Sequence, residues 1–310
     1  MRLLLTGASG FLGQTFCREL AAEHDITGLW HSREPLLPGV RLLRVDLTDE
    51  LALAGLLERE RFDAVLHAAA LADPNACQRE PELSLRINVQ ATARLADLCA
   101  RHALPLAFTS TDLVFDGTAG PYAEDAPTSP VSTYGEHKAR AEAEVLERHP
   151  GAVVCRMPLM YGRPVPGARC FLDGMLDMVA RGETLRLFSD EYRSPADAAD
   201  AVRGLVLALS SGATGVLHLG GPERLSRLDF GRIFAHELAQ TLAKSNGWPE
   251  ARLQAVRQAE VPMAAARPPD VSLLCGRAFR LGYAPAPVRE GLRRVLAGIE
   301  GIEAVDSGPK

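Results

Sequence analysis

The 310-residue chain contains no apolar run approaching the ~20 residues needed to span a bilayer. Met1 leads straight into Arg2-Leu3-Leu4-Leu5-Thr6, with no basic-then-apolar leader before it, so a soluble cytoplasmic protein is expected. Basic residues are not in excess: 34 Lys and Arg stand against 39 Asp and Glu, a formal charge of −5, which removes the electrostatic reason to expect nucleic acid. The six cysteines, Cys17, Cys77, Cys99, Cys155, Cys170 and Cys275, form no Cys-x-x-Cys pair and have no histidine at ligand spacing. They read as reduced, buried small hydrophobes, and no metal site is expected. Internal repeats and low-complexity segments are also missing.

What is there begins at the N-terminus. The apolar run Arg2 to Thr6 is followed without a gap by Gly7-Ala8-Ser9-Gly10-Phe11-Leu12-Gly13, and then by Phe16 and Leu20 at helical spacing. A strand, a glycine turn and a helix are the context in which a glycine fingerprint carries meaning. Gly7 permits the tight turn, Gly10 lets backbone N–H groups approach a pyrophosphate, and Gly13 lets helix and strand pack closely. Further apolar runs, Asp25 to Trp30, Arg41 to Val45, Ala64 to Ala69, Leu106 to Ser110 and Val153 to Met157, read as strands buried on both faces. Helical stretches fall between them: Gln14 to Glu23, Leu51 to Arg59, a long one from Pro81 to His102, and Val131 to Arg148. This last is capped by Ser129-Pro130 or by a Thr133/Glu136 capping box.

The alternation predicts an α/β, Rossmann-like doubly wound parallel sheet with a smaller C-terminal substrate lobe. The expected boundaries are 1–160 for the nucleotide-binding domain, with later segments returning to it, 161–301 for the substrate lobe, and a disordered tail at 302–310. In the second half, helices are expected near Phe171 to Ala180 and Arg227 to Ala243, with an apolar run at Gly215 to Leu219.

The chemistry is carried by Ser110-Thr111-Asp112-Leu113-Val114-Phe115-Asp116-Gly117 and by Tyr134-Gly135-Glu136-His137-Lys138. Lys138 lies one helical turn after Tyr134, so both project from one helix face. A cation beside the phenol is expected to lower its pKa and let it exchange a proton with a carbonyl or alcohol. Thr111 supplies a hydroxyl at the end of an apolar strand.

These residues, with His67-Ala68-Ala69-Ala70 and Asn88-Val89-x-Ala91-Thr92, resemble the extended short-chain dehydrogenase/reductases. Together with Tyr192-Arg193-Ser194-Pro195 and Arg267-Pro268-Pro269-Asp270-x-Ser272-Leu273, the Ser110 to Gly117 segment is similar to the dTDP-4-dehydrorhamnose reductase branch. The resemblance implies Thr111, Tyr134 and Lys138 as catalytic residues: Thr111 polarises a substrate carbonyl, Tyr134 protonates it, and Lys138 tunes Tyr134 and holds the nicotinamide ribose. It also implies cofactor contacts from Gly7, Gly10, Phe11, Leu12 and Gly13, from Asp46-Leu47 at the adenine, from Ala68, Ala69 and Ala70, and from Asn88, besides Tyr134 and Lys138.

Three departures refine this expectation. NAD-preferring members end the second strand with a carboxylate for the ribose hydroxyls. Here Leu29-Trp30-His31-Ser32-Arg33 has none, and His31, Ser32 and Arg33 suit a 2′-phosphate, so NADP(H) is preferred and NAD(H) is the second choice. Leu113 replaces the Glu that sugar dehydratases use for elimination. Gln14 stands where some members carry a Glu that helps hold a metal.

The expected function is NAD(P)H-dependent reduction of a keto group on a nucleotide sugar, with Arg193 and Arg267 as candidates for the diphosphate. The alternatives are an epimerase that retains its nicotinamide and a non-catalytic nucleotide-binding regulatory subunit. Expected partners are the nucleotide sugar or a related carbonyl compound and, if the chain self-associates, a second copy; nucleic acid and membrane are not expected.

Overall fold

A computed structural model describes residues 1–242 and 249–299. The tail expected at 302–310 lies outside the described residues.

Seven strands form one parallel sheet. They are β1 (Arg2–Thr6), β2 (Asp25–Trp30), β3 (Arg41–Arg44), β4 (Ala64–His67), β5 (Leu106–Thr111), β6 (Val153–Met157) and a returning strand, Gly215–His218. The order across the sheet is Gly215–His218, β6, β5, β4, β1, β2, β3. β1 therefore pairs with both β2 and β4, and the winding reverses between β1 and β4. Leu3 and Leu5 face one apolar layer with Phe16, Cys17, Leu66, Cys155 and Leu205, while Leu4 faces the other with Leu57, Val65, Cys99, Phe108 and Val145. Neighbouring residues of one strand enter opposite layers because side chains alternate across a sheet, and burial on both sides explains the unbroken apolar runs. The expected doubly wound fold is the one observed.

Several boundaries differ from the sequence reading. The first helix starts at Phe11, because Gly10 adopts the extended conformation of an N-cap. The Tyr134 helix spans Thr133–Arg148, and its cap is Ser132, whose hydroxyl accepts from Gly135 N–H at 3.2 Å; Ser129 instead accepts from Asp116 N–H. The long helix expected from Pro81 to His102 runs without a gap from Pro81 to Arg101, with a π-helical stretch over Leu85–Ala91 between Pro81–Ser84 and Thr92–Arg101.

The helix Ala198–Ser210, absent from the sequence reading, starts at the Asp197 cap and buries Ala201, Val202 and Leu205 beside the Phe11–Leu20 helix. A separate apolar cluster, including Tyr161, Leu172, Leu187, Phe230, Phe234 and Leu292, is built entirely from residues after 160. Within it, Leu185–Phe188 pairs in parallel with Leu253–Val256. Among the described residues no helix is long and apolar enough to cross a membrane.

Candidate active site

Open parallel sheets bind ligands beyond the carboxyl ends of their strands, at the point where the winding reverses. Here that point is the gap between the ends of β1 and β4, and a cleft of about 650 Å³ opens there. The ends of the two strands are locked together by buried polar groups. Ala69 N–H donates to Thr6 Oγ1 at 3.2 Å, and Thr6 Oγ1 lies 2.7 Å from His67 Nδ1. His67 Nε2 lies 2.9 Å from Thr92 Oγ1, which donates to the Asn88 carbonyl. Each hydroxyl has one proton, so the chain closes only if Thr6 donates to Nδ1 and Nε2–H donates to Thr92. Burial, and then the charge of Lys138, push the His67 pKa down to about 3, which keeps this neutral tautomer in place.

Gly7, at φ +75°, turns the chain out of β1; a Cβ there would stand 2.7 Å from Ala69 N. A Cβ at Gly13 would overlap the Gly7 carbonyl, so only glycine lets the helix sit on the loop. A Cβ at Gly10 would meet nothing nearer than the Gly7 carbonyl at 3.4 Å. The space above Gly10 thus belongs to the cleft, whose wall includes Gly7, Gly10, Phe11, Leu12 and Gly13 with Ala68 and Ala70. A glycine turn at a helix N-terminus with room left over the backbone suits a dinucleotide pyrophosphate.

Thr111, Tyr134 and Lys138 line the same cleft. Thr111 ends β5, accepts from Leu113 N–H and donates to Asp112 Oδ1 at 3.3 Å. Lys138 is fully buried; Nζ donates to the Thr109 carbonyl at 2.6 Å and stands 4.0 Å from the centre of the Phe108 ring. Burial pulls its pKa down to about 7, against the opposing pull of Glu142 and Cys77.

The expected depression of the Tyr134 pKa is not found. Burial pushes the phenol up, Cys77 and Asp112 add to the rise, the Thr111 hydroxyl opposes it, and Lys138 makes no contribution. Its ammonium group is directed at Thr109 and at the face of Phe108. The phenol therefore stays protonated at neutral pH, which is the form a proton donor needs.

A second recess, of about 340 Å³, adjoins the glycine loop. His31, Ser32, Arg33, Asp46, Leu47, Ala69 and Gly167 lie on its wall with Gly7, Gly10, Ala68 and Ala70. His31 Nδ1 lies 3.1 Å from Ser32 Oγ, and His31 Nε2 lies 3.6 Å from Asp46 Oδ2. A carboxylate does reach this pocket, delivered from beyond β3 rather than from the end of β2. Asp46 Oδ1 is engaged by the backbone N–H and hydroxyl of Thr48, which lower its pKa.

Two expected site residues are placed differently. Asn88 is on neither wall: it is buried, accepts from Leu71 N–H, and donates to the Leu71 carbonyl and to Ser84. It shapes the chain just after Ala70 and presents no free group to a ligand. Arg193 reaches the cleft, but its guanidinium is held by Asp112 at 3.6 Å, Glu191 at 3.2 Å and the carbonyls of Tyr192 and Pro268. A charge so committed is a poor candidate for a diphosphate. Asp112, opposite it, has its pKa pushed up to about 6 by burial, with Arg193 opposing.

The sequence reading missed Arg227. Its guanidinium lies 4.3 Å over the Phe171 ring and 3.9 Å from Glu191, while its buried Nη1 has no hydrogen-bond partner among the described residues. Burial pulls its pKa down to about 10, and the charges of Arg193 and Arg267 act in the same direction. Arg267 and Arg186 line the same wall. An arginine at the start of a helix near position 227 carries no local signal; only the return of this segment to the cleft reveals it.

A family model described as "RmlD substrate binding domain" matches residues 1–300. The chain is 32% identical over 235 residues to the probable low-salt glycan biosynthesis reductase Agl14 of Haloferax volcanii, covering 74% of this chain and 78% of that protein. It is 29% identical over 304 residues to methionine adenosyltransferase 2 subunit beta of Xenopus laevis, covering 95% and 87%. Among solved structures, a hypothetical dTDP-4-dehydrorhamnose reductase from Sulfolobus tokodaii is 27% identical with a TM-score of 0.77, over 94% of this chain and 99% of that one. The dTDP-4-dehydrorhamnose reductase from Bacillus anthracis, solved in complex with NADP, shares the fold at 23% identity and a TM-score of 0.80, over 96% and 98%.

Proposed function

The chain belongs to the RmlD substrate binding domain family, and on that premise we propose that it is an NAD(P)H-dependent reductase of a keto group on a nucleotide sugar. One observation carries this reading: Thr111, Tyr134 and Lys138 share a single cleft with the glycine loop. We place the nucleotide-binding domain at residues 1–160, joined by the helix Ala198–Ser210 and the strand Gly215–His218, and the substrate lobe mainly in the remaining described residues from 161 on.

The residues present fit a dinucleotide. Gly10 leaves room over its backbone for a pyrophosphate while Gly7 and Gly13 let turn and helix pack closely beneath it, Ala68 to Ala70 run along the wall, and Arg33 with His31 and Ser32 suits a ribose 2′-phosphate. NADP(H) is the preferred cofactor, and NAD(H) is compatible with Asp46 beside His31. Bound nicotinamide supplies the hydride.

The chain's own residues do the rest. Tyr134, kept protonated by burial, gives its proton to the substrate oxygen. Thr111 turns its hydroxyl from Asp112 to that oxygen and stabilises the charge that develops there. Lys138 anchors the Tyr134 helix to β5. Arg227 and Arg267 hold the substrate diphosphate; Arg227 Nη1, which has no partner among the described residues, is the nitrogen left to donate to it. Leu113, which cannot exchange a proton, stands where the resemblance puts the carboxylic residue used to eliminate water.

The test is a panel of nucleotide 4-ketosugars incubated with NADPH and followed at the nicotinamide absorbance band. Turnover of one or more is the expected result. Protein that arrives with tightly held NAD and interconverts sugars without net NADPH oxidation would make it an epimerase instead. The likeness to the methionine adenosyltransferase subunit favours a second reading, a regulatory subunit that binds nucleotide without turnover. NADPH binding with no oxidation across the whole panel would support it.

A further inference from the structure

The segment between β6 and the Phe171–Ala180 helix touches both recesses. Gly167 lies on the wall of the smaller one, while Arg169 and Cys170, two and three residues on, lie on the wall of the larger. The turn is held by two side chains from the nucleotide-binding part of the chain. Arg33 Nη2 donates to the Pro166 carbonyl at 2.6 Å, and Gln14 Nε2 donates to the same carbonyl at 3.0 Å while also donating to the Ser9 carbonyl at 2.9 Å. A carbonyl oxygen has two lone pairs and takes both donors; a Glu at position 14 could donate neither bond.

Gly167 itself has φ +66°, and a Cβ built on it would overlap the Arg33 guanidinium. Missing side-chain bulk at Gly167 is therefore what allows Arg33 to lie where it does. Nη2 carries two N–H bonds, so with one given to the Pro166 carbonyl the other remains, beside a neighbouring N–H of Nε or Nη1, for contact with a phosphate.

We propose that the Pro166-Gly167 turn is a determinant of cofactor specificity: it fixes the Arg33 guanidinium over the smaller recess, so that discrimination for a ribose 2′-phosphate depends on a segment about 130 residues away from the loop that carries the charge. The inference rests on the reading of Arg33 as the phosphate contact. It adds that pre-ordering of Arg33 by the turn, and not its charge alone, produces the preference.

The experiment measures NADPH and NADH dissociation constants for the wild type, Arg33→Ala, Gly167→Ala and the double variant. Gly167→Ala displaces only the end of a flexible side chain, and Gly167→Asn, which tolerates a left-handed backbone, controls for strain. NADH binding reports in each case that the protein is folded. The expected result is that Arg33→Ala and both Gly167 variants weaken NADPH about tenfold while NADH changes less than about twofold, and that Gly167→Ala adds nothing once Arg33 is gone.

If Arg33→Ala shifts the NADPH to NADH ratio and Gly167→Ala does not, the turn has no such role and the phosphate reading stands. Equal loss of both cofactors in the Gly167 variants, or a further loss of NADPH in the Arg33→Ala background, would likewise overturn it. If Arg33→Ala leaves the ratio unchanged, Arg33 does not read the phosphate and both ideas fall together.

Discussion

Lys138 Nζ donates a 2.6 Å hydrogen bond to the carbonyl of Thr109, two residues before Thr111 on the same strand. The bond ties the helix that carries Tyr134 to the strand that carries Thr111, so the proton donor and the polarising hydroxyl are held to each other through Lys138. Thr109 Oγ1 in turn donates to the His67 carbonyl at 3.1 Å, which extends the tie to β4 and the cofactor side of the cleft. The lysine that sequence spacing assigns to the tyrosine is in fact a bracket between three elements.

This burial has a pH signature. The folded-state pKa of Lys138 is lowered to about 7 from 10.5. The cost of burying the charge is therefore fully present below pH 7 and disappears as pH rises toward the unfolded value. Lys138→Met removes a titration whose penalty grows toward low pH. Its melting temperature relative to the wild type should be more favourable at pH 6 than at pH 9, whatever constant offset the lost Thr109 bond adds. A relative melting temperature that does not change between the two pH values would show that Lys138 stays charged in the fold.

Tyr134→Phe keeps the ring and its packing while removing the proton. NADPH affinity should stay within about twofold of the wild type, and reduction of the keto sugar should fall by ~10²-fold or more, the usual scale for a lost general acid. Stopped-flow fluorescence for binding and nicotinamide absorbance for turnover separate the two effects. Undiminished turnover would remove Tyr134 from the mechanism.

The glycine loop predicts two different failures. Gly13→Ala places a Cβ against the Gly7 carbonyl and should lower stability by about 1–3 kcal/mol, the range for overpacking, as read by chemical denaturation. Gly10→Val meets only the Gly7 carbonyl at the edge of contact, so the fold should survive; its branched side chain enters the cleft and should abolish NADPH binding. Wild-type NADPH affinity in Gly10→Val would mean that the pyrophosphate lies elsewhere.

Arg227→Ala tests the anion wall. The substrate KM should rise about tenfold or more for a nucleotide diphosphate sugar, with the NADPH dissociation constant unchanged, because Arg227 is absent from the smaller recess that holds Arg33 and stands with Arg267 and Arg186 on the wall of the larger one. Arg193→Ala should instead destabilise the protein, since it strands the buried Asp112 and Glu191 carboxylates. Isothermal titration with the nucleotide diphosphate alone distinguishes the two arginines.

Much of this protein is decided locally. The apolar runs and the glycine turn determine the parallel sheet, because a strand buried on both faces needs an unbroken apolar sequence and a left-handed turn needs glycine. The spacing of Tyr134 and Lys138 determines that they share a helix face. What tertiary structure decided is where charge goes. Burial reversed the expected shift of the Tyr134 phenol, and Lys138 found Thr109 rather than the tyrosine. Arg193 was consumed by Asp112 and Glu191, while Arg227, with no local signal, reached the cleft with a nitrogen that has no partner among the described residues. Asp46 arrived beside His31 from a different strand. Backbone conformation depends on neighbours in sequence and on the period of apolar residues, whereas a pKa or an ion pair depends on desolvation and on charges brought from distant segments, which only the folded chain brings together.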